Sequence, residues 1–290
     1  MSLDAGSVLS VPSACARSIL LAAAVAVVGC EQESSNRYPP PPDCPSGVAC
    51  ISNGSTISPG GGVGSGGGGS GGSSGGNTTG ATADLVGTVH LVSAPSFTDE
   101  QVVFTGSANI TGVGPSGRVS TTYGGSAGTT FDLAGLTTGS TWILVQDPTG
   151  ASNVLSTQSP VTLPDLSTVV LPVVELFGLV NIASALPSAP QISTTTGAQV
   201  ILTFTHAMQP YQGLSVTGGT QGAVVAYDTG GAGFSDQLTK TGTAGMVILF
   251  NAGTTPGQLA LELFDASAAT TYSVTVPVGA GTATVARFDL

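Results

Sequence analysis

The sequence predicts an all-β protein whose folded part is two antiparallel β-sandwich modules, and three observations carry that expectation. From Ala83 onward, short apolar runs are broken by Gly, Pro and Asn at the spacing of sandwiches and barrels. Within the runs the apolar residues alternate. Val200, Leu202 and Phe204 share one strand face, and Tyr272, Val274, Val276 and Val278 share another. A period of two sets one face on a core and the other toward solvent. The third observation is that nothing after the first apolar run sustains a helical period.

The N-terminal part reads as an address. Arg17 precedes the run Ser18 to Val28, which closes on Gly29-Cys30. One positive charge and roughly ten apolar residues ending in small ones make a secretory signal, too short to span a bilayer as a mature helix. Val27-Val28-Gly29-Cys30 resembles the bacterial lipobox. The resemblance implies that residues 1–29 are removed as a signal peptide and that the Cys30 thiol receives a diacylglyceryl group. It further implies that the new amine is acylated, with palmitate as a typical chain. Each buried methylene contributes about 0.8 kcal/mol, so several chains hold a protein on a membrane far better than one. In the enterobacterial sorting rule an Asp after the cysteine retains lipoproteins in the inner membrane. Glu31 is not that signal, so the outer membrane is expected.

Residues 30–82 read as a disordered tether. Tyr38-Pro39-Pro40-Pro41-Pro42 is a stiff polyproline segment, and residues 60–76 are nearly all Gly and Ser, a flexible coil. Inside the tether lie Cys44 and Cys50, the two thiols left once Cys15 departs with the signal and Cys30 is alkylated. In an oxidising compartment they are expected to pair across the Pro45-Ser46-Gly47 turn. Free thiols are the next reading. Metal binding comes last, because two cysteines without a nearby His supply half a zinc site.

The modules are expected over 83–174 and 175–290. Asp84-Leu85-Val86-Gly87-Thr88-Val89-His90-Leu91 aligns with Glu175-Leu176-Phe177-Gly178-Leu179-Val180-Asn181-Ile182, so each module is expected to open on such a strand. Each later carries a Gly-preceded apolar run, at Gly139 and at Gly257, and the longer interval in the second implies an insertion there. Phe131-Asp132-Leu133-Ala134-Gly135-Leu136-Thr137-Thr138-Gly139 resembles the Phe-x-Leu-x-x-Leu-x-x-Gly pattern of carboxypeptidase regulatory-like, transthyretin-like modules of bacterial surface proteins. The second module departs from it, with Asn251 and Thr254 where leucines are expected. The resemblance implies a seven-stranded sandwich of spacer, stabilising or binding role and no active site.

Composition excludes several function classes. With 5 basic residues and a net charge of -11, the chain has no basic patch for phosphates, so nucleic acid is not an expected partner. Motifs that look catalytic have plainer readings. Gly112-Val113-Gly114-Pro115-Ser116-Gly117 satisfies a dinucleotide glycine pattern, but a strand-like run follows where a helix is required, so a hairpin turn is expected. Gly124-Gly125-Ser126-Ala127-Gly128 matches a nucleophile elbow, yet the tether matches it too, and His206 is the one later histidine. His90 is expected at a sheet surface and His206 at a strand end, neither at metal-ligand spacing. Trp142 is expected in a core rather than as a sugar-stacking platform. A weak Ca²⁺ candidate remains: Asp228 and Asp236 flank Gly230, Gly231 and Gly233, with a hairpin loop as the plainer reading.

The expected function is therefore a lipid-anchored envelope protein, not an enzyme and without a cofactor, whose modules have structural roles or meet an envelope protein or polysaccharide. A carbohydrate-binding surface lipoprotein is the alternative, disfavoured by the scarcity of aromatic residues at 5%.

Overall fold

A computed structural model describes residues 81–290, apart from 95–96, 98–101, 127–128, 151, 165–167, 232 and 254–256. Cys30, Cys44 and Cys50, with the signal and tether, lie outside the described residues. The first half runs β1 (Thr82–Val92), β2 (Val102–Val103), β3 (Ala108–Gly114), β4 (Gly117–Tyr123), β5 (Phe131–Thr137), β6 (Gly139–Gln146), β7 (Val154–Leu163) and β8 (Val169–Glu175). One helix follows, α1 (Leu176–Ala185). The second half runs β9 (Ala198–His206), β10 (Gln209–Pro210), β11 (Leu214–Gly218), β12 (Val224–Asp228), β13 (Phe234–Ser235), β14 (Met246–Ala252), β15 (Gly257–Asp265), β16 (Thr270–Val278) and β17 (Thr282–Asp289).

The chain is all-β, as its alternation dictates, with α1 the one exception among the described residues. In the first half, β1 lies between β5 and β8, and this sheet faces β4-β3-β6-β7. Leu85, Val89, Ile110, Phe131, Leu133, Leu136, Ile143, Val161 and Leu171 fill the space between them. Burying each such side chain contributes about 1.5–3 kcal/mol. The spacing Leu133-x-x-Leu136 breaks strict alternation, and the register shows why. Between Ala83 and Leu85 of β1 the partner strand β5 carries an extra residue, a bulge that resets the face. Gly135 supplies the required positive φ of 77°, and its N–H donates to Asp84 Oδ1 at 2.9 Å.

In the second half, the sheet β13-β12-β14-β9-β17 packs on the three-stranded sheet β11-β15-β16. Val200, Leu202 and Phe204 meet Leu259, Leu261, Leu263, Val274, Val276 and Val278 there, the alternating faces read from the sequence. Trp142 is half-buried and packs against this core. The reverse face of the larger sheet is apolar as well. Ile201, Met246, Ile248 and Phe250 are covered by Leu179, Ala183 and Leu186.

Two expectations need correction. The sheets are mixed rather than antiparallel: β1 pairs in parallel with β8, and β17 pairs in parallel with both β7 and β9. The β17–β7 pairing joins strands of the two halves into one 14-stranded sheet. The segment aligned with β1 as an opening strand is helix α1 instead. Leu176, Leu179, Ile182, Ala183 and Leu186 recur at helical spacing and pack toward the sheet. Phe177 and Val180 are exposed on the other side, so apolar residues surround the helix and disguise its period.

Candidate functional site

Three polar constellations stand out from the apolar cores. The first is the loop that the sequence offered for Ca²⁺. Asp228 ends β12 with its carboxylate buried, and four backbone N–H groups converge on it. Gly230 and Ala244 donate to Oδ1 at 3.1 and 3.0 Å, and Gly242 and Met246 donate to Oδ2 at 2.9 Å each. Each carboxylate oxygen offers about two lone-pair positions, so these donors saturate the group. A Ca²⁺ cage needs oxygen atoms aimed at the ion; here the dipoles aimed at the carboxylate are N–H. Asp236 serves another loop: its Oδ2 accepts the Ser188 N–H at 2.9 Å, and hydrogen bonding from Ser188, its side chain first and its backbone after, holds the carboxyl below the usual range. Among the described residues no group of three or more His, Cys, Asp or Glu side chains is placed to hold a metal ion.

The second constellation has no local signature, because its members come from distant parts of the chain. Tyr211 donates its phenol hydrogen to Asp265 Oδ2, and Asp265 Oδ1 accepts the Ser267 N–H and hydroxyl at 2.7 Å each. Tyr272 meets Tyr211 edge-on, with ring centroids 6.4 Å apart, and the His206 ring lies 5.3 Å from Tyr211. Burial and the bond to Asp265 raise the Tyr211 pKa, while the Tyr211 bond lowers that of Asp265. Both shifts keep the proton on the phenol and the charge on the carboxylate. The pair is a fixed donor and acceptor, poorly disposed to exchange protons with a substrate. His206 itself ends β9, as read, with Nδ1 against the Leu290 carbonyl. His90 lies on β1 with Nε2 3.1 Å from Thr88 Oγ1, and burial lowers its pKa.

The third is a cleft where β7, β8 and β17 diverge, about 330 Å³ in volume. Val161, Val170, Pro172, Thr203 and Arg287 are among the residues that line it. No sequence motif marks it, since it exists only through strand pairing.

The glycine-rich look-alikes are turns. Gly114 and Gly117 are register partners that close the β3–β4 hairpin over Pro115-Ser116. Ser126 sits between β4 and β5, where its carbonyl accepts the Thr129 N–H at 3.0 Å.

No family model and no curated protein matches the chain. Among solved structures, the Bacillus anthracis TIE protein is similar at 9% identity and a TM-score of 0.21, over 72% of this chain and 34% of that one. The Streptococcal ancillary pilin is similar at 13% identity and a TM-score of 0.21, over 73% of this chain and 62% of that one. The chain thus spans about a third of the first protein and under two thirds of the second. TM-scores this low fall short of a shared chain path and carry no conclusion about function.

Proposed function

We propose that the protein is a lipid-anchored component of a bacterial cell envelope, held by acyl groups on Cys30, with β-sandwich modules in a structural or protein- and polymer-binding role. The observation that carries this reading is the sequence Arg17 to Cys30, a short apolar signal ending in Val27-Val28-Gly29-Cys30. Residues 30–82 act as the tether and 83–174 and 175–290 as the modules, with the outer membrane as the destination. A non-catalytic role is supported by the described carboxylates Asp228 and Asp265, which are committed to internal hydrogen bonds. Cys44 and Cys50 form the tether's staple, which mass mapping of non-reduced peptides tests.

The decisive experiment is Cys30→Ser followed by fractionation. The variant is expected in the soluble fraction or as an uncleaved precursor. A processed variant that stays in the membrane would overturn the reading.

A further inference from the structure

The register of the β3–β4 hairpin fixes which way the backbone of β4 faces. Gly114 and Gly117 are partners across the two-residue loop, so they form a hydrogen-bonded pair, and bonded and non-bonded pairs alternate from there. Val119, Thr121 and Tyr123 therefore bond to β3, while the N–H and C=O of Arg118, Ser120 and Thr122 point away from it. Strand β4 ends its sheet, and β3 is the one strand it pairs with among the described residues. Its far end is anchored: Tyr123 is buried, and its hydroxyl donates to the Phe104 carbonyl at 3.0 Å.

An open strand edge recruits other strands, and proteins blunt such edges in recognisable ways. Other edges among the described residues are blunted. At the opposite end of the same sheet, β13 is two residues long. On β16, Pro277 has no N–H, and its carbonyl accepts the Thr284 hydroxyl at 2.6 Å. On β11, Leu214 exchanges hydrogen bonds with Thr241, and the Val216 N–H donates to the Tyr227 hydroxyl at 2.9 Å. Strand β5 carries the bulge at Gly135. Strand β4 has none of these devices. It pairs with β3 without a register shift and contains neither Pro nor Lys, and Ser120 and Thr122 are exposed.

Charge selects the occupant. A net charge of -11 opposes self-association, yet no Asp or Glu lies between Glu100 and Asp132, the stretch that holds β3 and β4. Turned about a two-fold axis at Ser120, two β4 strands pair antiparallel, with Ser120 opposite its own copy and Arg118 opposite Thr122 of the second copy. The two Arg118 residues then stand ~14 Å apart along the strands, at about 3.4 Å per residue, beyond a screening length of about 8 Å at physiological salt. We propose that β4 pairs with β4 of a second copy of this chain, antiparallel about Ser120, and joins the two sheets into one. The contact uses the same patch on both copies, so it closes at a dimer. It is independent of the lipid anchor, and its failure leaves that reading standing.

The test is sedimentation equilibrium of residues 30–290 carrying Cys30→Ser, which takes no lipid, under a reducing agent that excludes disulfide-linked pairs. One strand edge is a small interface, so a dimer that dissociates at about 10–100 µM is expected. Ser120→Lys leaves the backbone as it is and sets two like charges opposite each other, as does Ser120→Asp. Each variant is expected to stay monomeric where the parent is mostly dimer. An equal mixture of the two is expected to form a heterodimer at least tenfold tighter than either variant forms with itself. A parent that stays monomeric up to ~1 mM would overturn the proposal. So would a dimer that persists in Ser120→Lys, or a mixture that associates no better than its components.

Discussion

The carboxylate of Asp228 reaches across to the backbone of Met246, whose N–H donates to Oδ2 at 2.9 Å, and so ties the end of β12 to the start of β14. Gly242 belongs to the same knot. A Cβ there would stand 2.4 Å from Asp228 Oδ1, so only glycine lets that chain approach. Asp228→Asn keeps the shape but replaces one acceptor oxygen with an amide group that faces N–H donors. We expect a loss of about 3 kcal/mol, read as a lower denaturation midpoint in urea. Because the four N–H groups already satisfy the carboxylate, adding Ca²⁺ or a chelator should leave the melting temperature of the parent unchanged. A calcium-dependent rise that Asp228→Asn removes would restore the cation reading of this loop.

Tyr211 and Asp265 predict a pH dependence on both sides of neutrality. The Asp265 pKa is depressed by the Tyr211 bond, so its contribution is full above the unfolded carboxylate value and is lost as acid protonates it. The Tyr211 pKa is raised by burial and by the carboxylate, so its contribution is full below the unfolded phenol value and is lost as alkali ionises it. Tyr211→Phe should therefore cost about 1.5 kcal/mol on a plateau between roughly pH 4 and pH 10. The gap between parent and variant should narrow beyond either edge. Denaturation curves across pH check this, and a gap of constant size from pH 3 to pH 8 would count against the pair.

The glycines show what the sequence disclosed and what it hid. Gly87 was visible as the glycine of an opening strand, and the structure gives the reason. A Cβ on it would lie 2.1 Å from the Val169 carbonyl oxygen and 2.9 Å from Phe131 Cζ, because β5 and β8 close on β1 there. Its counterpart Gly178 was equally visible but sits in α1. Local pattern could not separate the two, because Leu176-Phe177-Gly178-Leu179-Val180 is apolar on every side. What chose helix was the reverse face of the β9–β14 sheet, which needed covering, and that demand comes from tertiary structure. The alternating strands and the β3–β4 hairpin were legible because their signals are local. The parallel pairs, the Tyr211–Asp265 contact and the cleft between β7, β8 and β17 were not, because each joins residues that lie far apart along the chain. Gly257 completes the comparison: a Cβ there meets nothing within 4 Å. Gly87→Ala should cost about 2–3 kcal/mol by overpacking, and Gly257→Ala should stay within about 0.5 kcal/mol of the parent. Equal effects in thermal unfolding would refute the difference in packing.

The turn between β9 and β10 stores strain that can be relieved. His206 and Gln209 are register partners, so Ala207 and Met208 form a two-residue hairpin loop, and both have positive φ, 48° and 64°. Such loops favour Asn-Gly, since a side chain with an ordinary Cβ pays about 1 kcal/mol or more in the left-handed region. Both residues are exposed, Met208 at 84%, so replacing them removes little packing. The Met208 N–H donates to Asp289 Oδ1 at 3.3 Å, a backbone contact that glycine retains. The double change Ala207→Asn and Met208→Gly should therefore stabilise the protein by about 1 kcal/mol. The greater freedom of glycine in the unfolded chain takes back part of the gain. For a folded region of this size that is a rise of about 2–4 °C in melting temperature. An unchanged or lower melting temperature would mean that the Met208 side chain makes a stabilising contact that its exposure conceals, and the strain argument for this turn would fail.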